Sequence, residues 1–217
     1  MVRALAPILS LLSPSEQDYS RSMQSPLLLI RLILVWITLS FLALAQQVPP
    51  PPAAVDDNFI QKQFGSTCKL MPGPPQLKAD LDGDGIEDLV VAGHCTNPLA
   101  DQAEDNFTVV DPYNTFYGYG NTKITTQFAS EDPATRGLVL LVIHGAGAEA
   151  WRAATPKAKF VIINLPFKQI AVKKLAVKKK TVMAIYAEET GGDRMTSATF
   201  WDGKKYRYQP IGSGMGD

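Results

Sequence analysis

The sequence predicts a mainly β fold of antiparallel strands with one short N-terminal helix. Three observations point there. Beyond residue 88, apolar or alternating runs rich in Val, Ile, Phe and Tyr recur about eight times at intervals of roughly ten to fifteen residues. Turn chemistry separates them: Asp111-Pro112, Lys178-Lys179-Lys180, Gly191-Gly192-Asp193 and Asp202-Gly203. Only the stretch after Asp56 carries a capped helical pattern.

Taken in order, the chain begins with an address. Arg31 precedes an apolar run, Leu32 to Ala45, that ends in Ala43-Leu44-Ala45. A basic residue, an apolar core of roughly 7–15 residues and an A-x-A site make a secretory signal over residues 1–45, cut before Gln46. Met23 would begin a more ordinary signal and is the candidate true start. An uncleaved anchor is the alternative, although the run is short of the about 20 apolar residues a span needs. Residues 46–55 form a Pro-rich linker, too stiff and too polar to pack a core. One β-rich domain is expected over 56–217. Asp56 or Asp57 can cap a helix whose Phe59, Ile60 and Phe64 share a face, and Gly65 stops it. This reads as a helix covering a sheet edge.

Next comes the acidic stretch Asp80-Leu81-Asp82-Gly83-Asp84-Gly85-Ile86-Glu87-Asp88. Carboxylates at alternate positions of a short turn repel one another unless a cation lies between them. A hard ion such as Ca²⁺ takes six to eight oxygens, and this spacing offers them from one turn. Gly83 and Gly85 allow the positive φ that folds the chain around an ion. The twelfth position from Asp80 is Val91, so the bidentate Glu that closes an EF-hand loop is missing. Leu89-Val90-Val91 leans to strand, and the loop should turn one strand into the next. The run DLDGDGIEDLVV resembles the calcium loop of FG-GAP or VCBS-type repeats, found in integrin-α-like β-propellers. That resemblance implies side-chain ligands from Asp80, Asp82, Asp84 and Asp88, and a backbone carbonyl from Ile86. It covers about a dozen residues and occurs once, whereas propellers carry such a loop in several blades. A propeller-like fragment, a small sandwich and a twisted single sheet all remain open.

The two cysteines, Cys68 and Cys95, flank this loop and are expected to pair in an oxidising compartment. Two free buried thiols are the alternative. His94 adjoins Cys95, so in a strand the two point to opposite faces and do not make a shared zinc site. Strands are then expected at Asp88–Ala92, Phe107–Val110, Leu138–Ile143, Phe160–Asn164, Ile170–Val177 and Thr181–Glu188, closing with a hairpin of Ser197–Trp201 and Lys204–Tyr208. The aromatic segment from Tyr113 to Asn121 reads as packing at a sheet corner, and as a sugar or peptide platform if exposed. Ala148–Ala153 reads as a helical turn.

Enzyme chemistry finds little support. His144-Gly145-Ala146-Gly147 after an apolar strand is similar to the oxyanion segment of α/β-hydrolases, but no serine stands in a G-x-S-x-G turn. His144 reads as a turn residue. Equal numbers of basic and acidic residues, 21 each, give no global pull toward nucleic acid or an anionic membrane. The expectation is an exported protein, periplasmic or extracellular, with one structural Ca²⁺ site and a non-catalytic binding or structural role. Its partner would be a protein or glycan, with membrane contact only through an uncleaved signal segment. A secreted hydrolase using the His144–Gly147 turn is the alternative.

Overall fold

A computed structural model describes residues 55–118, 128, 130–133, 135–192 and 194–212. The expected signal, residues 46–54 of the linker, Tyr119–Asn121 and Asp193 lie outside them. All the described residues belong to one compact unit, Pro52–Asp217.

Two sheets pack face to face, so the fold is a small β sandwich. The first sheet contains β1 (Cys68–Leu70), β2 (Leu77–Ala79), β3 (Asp88–Cys95), β4 (Thr108–Val110), β5 (Leu138–His144) and β6 (Ala158–Ile163), in the order β1-β3-β5-β6-β4 with β2 also on β3. The second is a meander of β7 (Phe167–Val177), β8 (Lys180–Glu189), β9 (Ser197–Trp201) and β10 (Tyr206–Pro210). Pairing is antiparallel throughout except between β4 and β6, which run parallel.

β3, β5 and β6 are buried on both faces, as their unbroken apolar runs require. Their even-numbered side chains, among them Val90, Leu140, Val142 and Ile162, meet Ile170, Ile185, Ala187 and Tyr206 of the second sheet. Their odd-numbered side chains, among them Leu89, Leu141, Ile143 and Val161, pack with Ile60, Phe64 and Trp151. Each fully buried Leu, Ile or Val contributes about 1.5–3 kcal/mol.

The helix α1 (Asp57–Phe64) therefore covers a sheet face, not an edge. The odd-numbered face of the first sheet is as apolar as the even one, and this helix and the Trp151 segment cover it, with Val55, Leu99 and Phe107 packed alongside. Its ends are as expected: Asp56 accepts the Phe59 N–H at 2.8 Å, and Gly65 takes φ 86°. Two further short helices follow, α2 (Pro98–Asp101) and α3 (Pro112–Phe116). The second corrects the reading of a sheet corner. Asp111 accepts the Asn114 N–H and Pro112 fits the first helical turn, so the dipeptide that stops β4 also starts a helix. Phe116 and Tyr117 are exposed, while Tyr113 stacks edge-on against Tyr208.

Candidate metal centre

β2 and β3 pair antiparallel, with Ala79 opposite Asp88, so the acidic stretch is the loop of a hairpin. Gly83 and Gly85 adopt φ of 79° and 84°, the left-handed conformation that lets so tight a loop close. The loop's own N–H groups then hold the carboxylates. Asp80 Oδ1 accepts from Gly83 at 2.8 Å and Asp84 at 3.1 Å, and its Oδ2 accepts from Gly85 at 2.9 Å. Asp82 Oδ1 accepts from the Asp84 N–H, and Asp84 Oδ1 from the Ile86 N–H.

Asp88, at the start of β3, is 1% exposed. Its Oδ2 accepts the Leu81 N–H at 2.7 Å and its Oδ1 the Gly145 N–H at 2.8 Å. It thereby straps the start of the loop to the end of β5. Burial pushes its carboxyl up to about 6, against the pull of those two N–H groups, and the neighbouring charges of Asp82 and Asp84 push the same way.

Among the described residues, Asp80, Asp82 and Asp88 each bring a carboxylate oxygen within 4.8 Å of the other two. Oxygens bound to one ion at 2.3–2.6 Å stand no more than about 5 Å apart, so this group can hold a metal ion. Asp84 stands outside the group. Its Oδ2 lies 2.6 Å from Lys157 Nζ, which also lies 2.7 Å from Asp82 Oδ2. The Lys157 ammonium holds the Asp84 carboxyl below its ordinary value, and hydrogen bonds to Asp82 and Asp84 hold Lys157 well above its own. Ile86 contributes its N–H to Asp84, and its side chain lies against Gly145.

His144 is not in a turn. It ends β5, 1% exposed, and continues the even-numbered series Leu138, Leu140, Val142 that faces the second sheet. That parity is the sequence signal for its burial. Its Nε2 lies 2.7 Å from the Tyr206 hydroxyl and its Nδ1 3.4 Å from Asp82 Oδ2. Burial lowers its pKa, partly opposed by the Asp82 charge. The next N–H groups, which a hydrolase would aim at a developing oxyanion, are engaged within the fold. Gly145 donates to Asp88 and Ala146 to the Ala150 carbonyl. A Cβ at Gly145 would stand 2.5 Å from the Glu87 carbonyl oxygen, so the loop and β5 meet at a position without a side chain.

A cavity of about 210 Å³ opens beside the loop, with Asp80 and Asp82 on one wall and Lys174, Thr181, Met183 and Trp201 on the other. Cys68 and Cys95 face each other across β1 and β3 and form a disulfide that encloses the whole loop. His94 points away from it, its Nδ1 3.3 Å from the Arg136 carbonyl oxygen. A disulfide fits an oxidising compartment. No helix among the described residues is long and apolar enough to cross a membrane. Compared with known proteins, the chain matches no protein-family model, no curated protein and no solved structure.

Proposed function

We propose that this is an exported, disulfide-linked protein whose Asp80–Asp88 loop binds one Ca²⁺ ion and which serves a non-catalytic binding or structural role toward a protein or glycan partner. The carrying observation is the convergence of oxygens from Asp80, Asp82 and Asp88 on a hairpin loop whose backbone N–H groups already orient them. An all-oxygen set with no sulfur and no imidazole in the group suits a hard cation, and calcium above all tolerates such irregular loops. The likeness to FG-GAP and VCBS-type loops favours the same ion, with Asp84 and the Ile86 carbonyl completing the set. The hydrolase alternative is disfavoured by the engaged N–H groups of Gly145 and Ala146.

Calorimetric titration of the purified chain with calcium tests the reading. If the ion binds only the folded state, a hundredfold excess over its dissociation constant adds about 2.7 kcal/mol of stability, which chelator removes. An Asp82→Ala/Asp84→Ala double variant should lose that gain. Absence of uptake at millimolar calcium would sink the proposal.

A further inference from the structure

Resting on the calcium reading, we infer that Lys157 is a tethered competitor for the ion site: its ammonium bridges Asp82 and Asp84 when the metal is absent and must leave when calcium arrives. The geometry is specific. Lys157 Nζ lies 2.7 Å from Asp82 Oδ2 and 2.6 Å from Asp84 Oδ2, so one donor head spans the third and fifth positions of the acidic register. An ammonium on those oxygens opposes a divalent cation there, because like charges a few ångströms apart repel and both draw on the same two carboxylates.

The side chain is free to go. It is 48% exposed, and among the described residues no other hydrogen bond holds its head group. Its backbone stays anchored, with the Lys157 N–H donating to the His144 carbonyl at 3.0 Å just before β6. Departure of the ammonium frees Asp84 Oδ2, the one acidic side chain of the register that now stands outside the convergent group. The bridge thus has two effects. It relieves repulsion among the carboxylates in the metal-free protein, and it sets the calcium affinity below what the carboxylates alone would give.

Lys157→Met removes the charge without supplying a ligand oxygen, and Lys157→Arg keeps the charge. By calorimetry, K157M should bind calcium about two- to fivefold more tightly than wild type, the range a paired, half-exposed ammonium can set. K157R should stay near wild type. In chelator K157M should melt below wild type, and at saturating calcium the two should melt together. Equal calcium affinities for K157M and wild type overturn the competitor role and leave the calcium site standing. Binding to neither protein overturns both.

Wild-type protein gives an independent check through acetic anhydride labelling read by mass spectrometry. Lys157 should be labelled several-fold faster with calcium than in chelator. An unchanged rate in protein shown by calorimetry to be calcium-loaded overturns the inference.

Discussion

Asp88 carries two burdens in one side chain, a carboxylate of the convergent acidic group and the strap that ties Leu81 to Gly145. Replacing it with alanine leaves two buried N–H donors without partners, so Asp88→Ala should lower stability by about 2–4 kcal/mol even in chelator. Urea unfolding at neutral pH measures this, with Asp84→Ala as a contrast whose exposed carboxylate should cost under about 1 kcal/mol there. The acidic group was legible because its members lie within one short run whose register is itself the signal. Lys157 and His144 were not legible as members of the site. They reach Asp82 across 75 and 62 residues of chain, and no local spacing encodes a contact of that span. His144 carried a weaker mark, its place in the alternation of β5.

The β9–β10 hairpin shows what local sequence does and does not disclose about an element. Asp202-Gly203 implies a two-residue turn, yet the loop runs over four residues, Asp202 to Lys205, with the Asp202 N–H donating to the Lys205 carbonyl. The Asp202 side chain accounts for the difference, because it accepts the N–H groups of Lys204 and Lys205 and pairs with Arg207. Burial alone would raise its carboxyl, but these donors hold it at about 2, below the ordinary 3.8. A depressed folded value means the stabilisation is whole above about pH 4 and lost as pH falls through 2. Discounted for solvent screening, the loss is on the order of 1 kcal/mol. Urea midpoints measured from pH 5 to pH 2 should fall more steeply for wild type than for Asp202→Asn. From β3 onward, strand positions were otherwise readable from alternation and apolar runs, whereas the three-residue β1 and β2 are too short to carry such a pattern. The pairing of β4 with β6 was not, since a strand's side-chain pattern is the same whichever neighbour it hydrogen-bonds. Edge strands are guarded by exposed Lys173 and Lys174 on β7 and by Pro210 on β10.

The unit that holds the described residues is a stack of three layers: α1 with Trp151, the first sheet, and the second sheet. Sequence patterns left sandwich, propeller-like fragment and single sheet open, because a run such as Leu138–Ile143 announces two covered faces without saying what covers them. The disulfide joins the edge strand β1 to the central β3 across a sequence separation of 27. Loop-closure estimates for that length put its contribution at about 3–4 kcal/mol. A Cys68→Ser/Cys95→Ser variant should show a drop of that order in urea, with the m-value checking for a more expanded denatured state.

The one parallel pair among the described strands carries a consequence for how the chain reaches this state. Thr108 meets Phe160 across 52 residues, whereas β7 turns directly into β8 at Lys178 and β5 reaches β6 over the shorter stretch 145–157. Closing a long loop costs entropy before any contact rewards it, so hairpins should nucleate and β4 should dock last. Val109→Ala should then speed unfolding and leave the refolding rate nearly untouched in stopped-flow experiments, while Ile185→Val should slow refolding.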